Sequence, residues 1–136
     1  MSDLDILCKE LNIKIFCLPT HENPIGQSDG WDRDMEAQHW SIKLERYAED
    51  GKRRTLTTFF SQGSAHKRPP SCADVLNCLV NDALSGEMSF KEFCSEFGYD
   101  MDSRSAEKIW QNCVEMAPRV RDFLGGKFDA VLECEH

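Results

Sequence analysis

The sequence contains no apolar run that approaches the roughly 18 residues of a membrane-spanning helix. Its N-terminus reads MSDLD, which is acidic where a secretory signal would be basic. These two absences predict a soluble cytoplasmic protein without a membrane partner. The chain has 136 residues, 40% of them hydrophobic, which suits one core rather than two. We therefore expect residues 1–136 to form a single domain.

Metal-binding motifs are also absent. The four histidines are isolated, with no HxxxH spacing, and the seven cysteines include no CxxC pair, so no zinc site is expected. Asp100, Asp102 and Arg104 resemble the start of a calcium loop. However, Ser105 stands where the loop requires glycine and Gln111 where it requires glutamate. The sequence therefore predicts no metal and no cofactor.

The cysteines themselves favour a reduced protein. Their number is odd, and several lie among apolar residues in the manner of small hydrophobic side chains. This pattern is more typical of free thiols than of a disulfide framework. Cys78, Cys94 and Cys113 are placed in the sequence like core residues.

No catalytic pattern is recognisable. The loop that reads GSAHKR at 63–68 has neither GKS nor GKT, so it is not a nucleotide-binding P-loop. A nucleophilic serine or cysteine needs a general base beside it and a group that orients this base, and the sequence identifies neither group for any serine or cysteine. We therefore expect a protein that is not an enzyme, with a small enzyme of unrecognised site as an alternative.

The net charge of −8 is unevenly distributed along the chain. Residues 1–37 hold eight acids and three bases, residues 38–70 three acids and seven bases, and residues 71–136 thirteen acids and six bases. The three segments thus carry −5, +4 and −7. A basic middle between acidic flanks can orient a molecule on a charged partner, although many such runs are simply solvated faces.

Apolar spacing predicts an α+β fold. A short helical pattern precedes a strand over 13–18 that ends before Pro19, and the stretch from 20 to 37 reads as a loop. Residues 40–47 alternate apolar and polar side chains, Asp50 and Gly51 form a turn, and residues 53–60 return. The hairpin over 38–60 is expected to form a small antiparallel sheet.

Three or four helices should follow the hairpin and pack on it. They are expected near 72–85, 89–97 and 103–124, with a last short element at 128–132. Ser71 and Ser89 have an acid three residues later, and Asp102 or Ser103 can cap the third helix. Gly98 is a left-handed stop. Phe90, Phe93, Cys94 and Phe97 are expected to face inward, and Pro118 should kink or restart its helix.

Two kinds of charged surface can bind a partner. Cations at the hairpin turn and in the following loop are an alternative anion-binding site for a nucleic-acid backbone or an acidic protein: Lys52, Arg53, Arg54, His66, Lys67 and Arg68. Two acidic clusters can instead present carboxylates to a basic nucleic-acid-binding groove: Asp29, Asp32, Asp34 and Glu36, and Glu92, Glu96, Asp100 and Asp102. Acids one helical turn apart have a spacing comparable to the roughly 7 Å between phosphates along a strand.

Residues 38–115 resemble a group of small, mostly uncharacterised bacteriophage and prophage accessory proteins. The phrase FGYD-x-DSR at 97–104 is distinctive of the group. The resemblance rests on stretches that read WSIKL at 40–44, TLTTFFSQGSAH at 55–66, PSCADVLNCLVNDA at 70–83 and SFKEFCSEFGYDMDSRSAE at 89–107. It assigns no functional residue.

What the resemblance implies is context, because acidic phage proteins of this size often inhibit host machinery, as anti-CRISPR proteins do. We therefore expect a stoichiometric inhibitor of a host defence nuclease complex, whether protein or ribonucleoprotein. A nucleic-acid-binding accessory protein that uses the basic hairpin is the alternative.

Overall fold

The computed structural model describes residues 2–20, 38–62 and 68–134. This part of the chain has the predicted α+β fold, with a three-stranded antiparallel sheet and helices before and after it. In chain order the elements are α1 (Asp3–Glu10), β1 (Lys14–Thr20), β2 (Gln38–Tyr47), β3 (Arg53–Gln62), α2 (Cys72–Gly86), α3 (Phe90–Phe97), α4 (Arg104–Leu124) and α5 (Lys127–Glu133).

The sheet has the order β1-β2-β3, so β1 and β3 are its edges within the described ranges. The hairpin between β2 and β3 is confirmed, and Gly51 at its turn has a φ of +79°, a value that glycine adopts without strain. The prediction that β1 ends before Pro19 is wrong. Pro19 pairs with Trp40 inside the strand, which an edge strand tolerates because its outer side needs no N–H donor.

Side-chain caps begin the helices where the sequence indicates them. Ser71 and Asp74 form a capping box at α2, and the Ser89 and Ser103 hydroxyls accept backbone N–H groups at α3 and α4. Gly98 ends α3 with a φ of 74°, as predicted. α4 runs on through Pro118. Of the two predicted outcomes, a kink or a restart, the restart is not observed.

The core lies between one face of the sheet and the layer formed by α2 and α4, with α1 and α5 at its margins. β2 and β3 contribute alternate side chains to it, as a half-buried sheet requires. The two central helices contribute residues at helical spacing. Core side chains include Leu4, Trp40, Ile42, Leu44, Leu56, Val75, Leu76, Leu79, Val80, Ala83, Met116, Val120, Phe123, Leu124, Phe128 and Val131.

Arg46 is a charged side chain on the buried face of β2, and only 4% of its surface is exposed. Its Nε donates to the carbonyl of Phe123 at 2.6 Å, and its Nη2 donates to that of Leu124 at 3.0 Å. Its guanidinium also lies 5.9 Å from the centre of the Phe123 ring. Carbonyls at a helix C-terminus lack partners within the helix and carry partial negative charge. Arg46 therefore fastens the end of α4 to the sheet.

The two central helices approach each other closely at Gly86, the last residue of α2. A Cβ atom placed there would lie 2.7 Å from the carbonyl carbon of Cys113 and 3.0 Å from the Cα of Val114. Both are backbone atoms of α4, so no side-chain rotation relieves the contact. Glycine is therefore required at this crossing for space, not for an unusual φ.

Within the described residues, no helix is both long and apolar enough to cross a membrane.

Candidate partner-binding surface

The second predicted acidic cluster surrounds the end of α3. Glu92 and Glu96 lie one turn apart on this helix, while Asp100 and Asp102 lie in the connection to α4, and all four side chains are exposed. Ser89 donates to Glu92 at 3.3 Å, and Asp100 accepts the backbone N–H of Asp102 at 2.9 Å. Among the described residues, none of the four carboxylates forms an ion pair.

Apolar side chains lie among these acids. Phe97, Tyr99 and Met101 are 51%, 40% and 53% exposed. They follow Phe93, a buried anchor whose ring centre lies 5.0 Å from that of Phe97 and 5.5 Å from that of Tyr99. The anchor holds both aromatic side chains against the scaffold. We call the four carboxylates with Phe97, Tyr99 and Met101 the α3 surface.

The exposure of Phe97 corrects the prediction that it faces inward. Helix α3 has only eight residues, and its buried side chains are Phe93 and Cys94. The chain then leaves the helix at Gly98. Phe97, at the last position of the helix, consequently covers Phe93 instead of reaching the core.

The other predicted acidic cluster, which comprises Asp29, Asp32, Asp34 and Glu36, lies outside the described residues, as do His66 and Lys67. Four of the predicted cations are described. Lys52, Arg53 and Arg68 are exposed, and Arg54 is half-buried. The two hairpin arginines are partly neutralised, because Arg53 lies 3.9 Å from Glu45, and Arg54 lies 3.3 Å from Asp50 and 3.8 Å from Asp122.

A cleft of about 410 Å³ lies where β3 meets α2 and α4, a volume typical of small-ligand pockets. We call it the β3 cleft. Its walls are residues 57–61 of β3, Cys78 and Asp82 of α2, and Asn112, Met116 and Arg119 of α4. Neither Asp82 nor Arg119 belongs to a recognisable sequence motif. The sequence does indicate that Asp82 is partly buried, because it lies on the apolar stripe of α2, seven residues after Val75 and three after Leu79.

Asp82 supplies the one carboxyl group among the described residues that line the cleft, and it is half-buried. Burial raises its pKa from 3.8 to about 6, because removal from water disfavours the charged form. No hydrogen bond or ion pair to another described residue compensates for this burial. Burial is the main cause of the raised pKa values of Cys78 and Cys113, and the nearby Asp82 charge is the second cause.

We expect Asp82→Asn to stabilise the protein above about pH 6. The ionised carboxylate is disfavoured only in the folded state, so wild-type stability should fall as pH rises from about 4 to about 6. Urea denaturation should show the variant gaining about 2 kcal/mol relative to wild type between about pH 4.5 and about pH 8. Glu115→Gln, which removes an exposed carboxylate of α4, is the control without such a pH dependence. A pH-independent difference for Asp82→Asn would contradict the account.

All seven cysteines are described, and all are free thiols. Cys94 and Cys113 are buried as predicted, but Cys78 is exposed. It lies on the side of α2 that faces the β3 cleft instead of the core. Burial first, and the Asp82 charge second, raise the pKa of Cys113 to about 12, which leaves this thiol protonated and unreactive at neutral pH.

Within the residues that the structure covers, no three His, Cys, Asp or Glu side chains are placed to hold a metal ion. No family model, no curated protein and no solved structure matches the chain.

Proposed function

We propose that the protein is a phage-encoded stoichiometric inhibitor that occupies a basic nucleic-acid-binding surface of a host defence nuclease complex. The observation that supports this most directly is the α3 surface. It combines four exposed carboxylates, which form no ion pair with a described residue, with three exposed apolar side chains. Such an arrangement suits a protein interface better than a purely solvated face.

The two kinds of side chain contribute differently to binding. Carboxylates complementary to a basic groove speed association and select the partner. Aromatic and methionine side chains supply the apolar contacts that dominate the affinity of many interfaces. Because Phe97 and Tyr99 already pack on Phe93, little conformational entropy is lost when they are covered.

The charge spacing also supports the proposal. Glu92 and Glu96 are separated by four helical residues, or about 6 Å along the axis. This is close to the roughly 7 Å between successive phosphates of one strand. A groove that binds a nucleic-acid backbone therefore meets carboxylates at a similar interval. The resemblance to phage accessory proteins supplies the biological setting of the proposal.

The competing function, direct nucleic-acid binding through the hairpin, has weaker support. Arg53 and Arg54 face Glu45, Asp50 and Asp122 at ion-pair distances. Binding a phosphate backbone would require these contacts to be exchanged, while the overall charge of −8 repels the polymer.

The proposal predicts that neutralising the α3 surface weakens partner binding by about tenfold or more. The variant carries Glu92→Gln, Glu96→Gln, Asp100→Asn and Asp102→Asn. These isosteres retain the side-chain acceptors used by Ser89 and by the Asp102 N–H, so the fold should be preserved. Calorimetric titration into purified guide-loaded CRISPR effector complexes measures both affinity and stoichiometry.

A matched control removes four exposed carboxylates elsewhere: Glu10, Glu115, Asp129 and Glu133. It should bind nearly as tightly as wild type. An equal loss of affinity in both variants would show that total charge, and not the α3 surface, governs binding.

A further inference from the structure

The β3 cleft runs along an edge of β3 that pairs with no other strand of the described residues. Five consecutive residues of β3, 57–61, line it. Successive side chains of a strand point to opposite faces, so a wall made of consecutive residues exposes the edge and its backbone. Within the described chain, β3 pairs only with β2. Its other edge therefore has N–H and C=O groups without a strand partner.

Three common protections against strand pairing are missing from residues 55–62 of this edge. Proteins commonly place lysine, proline or a bulge on edge strands to prevent association. The cations of β3, Arg53 and Arg54, are confined to its start, and residues 55–62 read TLTTFFSQ. Threonine and phenylalanine favour strands, and β3 has no proline. Such an edge is suited to accept a further strand.

The opposite wall of the cleft supplies side-chain contacts over the length of such a strand. Asn112, Met116 and Arg119 lie on α4 at intervals of four and three residues, so they form one stripe. The stripe is about 10 Å long, the length of three strand residues. Met116 offers an adaptable apolar contact, and Asn112 and Arg119 offer hydrogen-bond donors.

Charge indicates which side chain the added strand should bring. Asp82 is half-buried in the cleft wall and has no hydrogen bond or ion pair to another described residue. The other ionisable groups beside it are the Cys78 and Cys113 thiols and Arg119. Arg119 lines the same cleft, yet no ion pair joins it to Asp82. A ligand cation beside Asp82 would therefore offset part of the electrostatic cost of burying this carboxylate.

We propose that the β3 cleft binds an extended peptide segment of a partner protein, which pairs with the free edge of β3 and places a lysine or arginine beside Asp82. This peptide site is separate from the α3 surface. Loss of one interaction therefore leaves the other testable.

The proposal can be tested with synthetic peptides and NMR. The probes are heptapeptides of alternating valine and threonine, acetylated at the N-terminus and amidated at the C-terminus. Each carries one lysine, and the series places it at every interior position in turn, so that each register of pairing with β3 is sampled. Each lysine peptide has a counterpart in which norleucine replaces the lysine. A further copy of the lysine series is N-methylated at alternate amides, which removes the N–H donors that strand pairing needs. Amide chemical shifts of the full-length protein report the binding site and the affinity.

We expect the best lysine peptide to shift the amides of residues 57–61 and to bind about tenfold more tightly than its norleucine counterpart. Asp82→Asn should abolish this preference, Glu115→Gln should retain it, and N-methylated peptides should not bind. Failure of every peptide to bind, or a preference that survives Asp82→Asn, would overturn the proposal. So would concentration-dependent shifts of residues 57–61 without peptide, because a second copy of the chain would then occupy the edge.

Discussion

Replacing Arg46 with methionine is expected to lower the free energy of unfolding by about 3 to 4 kcal/mol. The substitution leaves the carbonyls of Phe123 and Leu124 without the two donors that now satisfy them. Methionine cannot supply a donor, and water has poor access to a site where Arg46 is 4% exposed. The loss should appear in urea denaturation as a lower midpoint, with the end of α4 opening first in hydrogen exchange.

Two further variants separate the hydrogen bonds from charge alone. Arg46→Lys keeps the charge but has no planar fork to reach both carbonyls, so we expect an intermediate loss. Arg53→Met removes an exposed cation of the same hairpin and should cost less than about 1 kcal/mol. If Arg46→Lys proved as stable as wild type, the two-carbonyl contact would not be the source of the stabilisation.

Gly86→Ala is expected to destabilise the protein by about 3 kcal/mol, although alanine is the better helix former. The added methyl group would overlap the backbone of α4 at Cys113 and Val114. Relief requires the two central helices to move apart, which loosens the core between them. Thermal and urea denaturation measure the loss.

Gly126→Ala is a close control for this substitution. Gly126 has a φ of −64°, and a Cβ atom there would meet nothing within 4 Å. Alanine should therefore be neutral or slightly stabilising at this position. Equal stability of the Gly86→Ala and wild-type proteins would mean that α2 and α4 tolerate a wider separation than their packing indicates.

The local elements of the fold could be predicted because their signals are local. Ser71, Ser89 and Ser103 act on N–H groups within the next turn, and Gly98 and Gly51 adopt positive φ values that few other residues tolerate. Each signal depends on residues only a few positions apart. The hairpin and the helices consequently follow from the sequence.

Features that depend on distant residues could not be predicted. The alternation of β2 puts Arg46 on the same face as Ile42 and Leu44, but only the carbonyl of Phe123 at the end of α4, 77 residues later, explains a buried charge there. In the same way, Asp82 and Arg119 line one cleft only because α2 and α4 pack beside β3.

The candidate site was predictable in part. Glu92, Glu96, Asp100 and Asp102 were selected from charge, and the structure shows them exposed. Their combination with Phe97, Tyr99 and Met101 was not predicted, because helical periodicity placed Phe97 in the core. Phe97 is exposed because α3 has only eight residues and Phe97 is the last of them.

A competition mobility-shift titration tests the proposed inhibition most directly. Labelled target DNA is bound to a purified guide-loaded CRISPR effector complex, and the protein is added at near-physiological salt. We expect release of free DNA in proportion to added protein, no shifted band from the protein alone, and loss of the effect when Glu92, Glu96, Asp100 and Asp102 are neutralised. Tight binding of the isolated protein to the DNA, abolished by neutralising Lys52, Arg53, Arg54, Lys67 and Arg68, would contradict it.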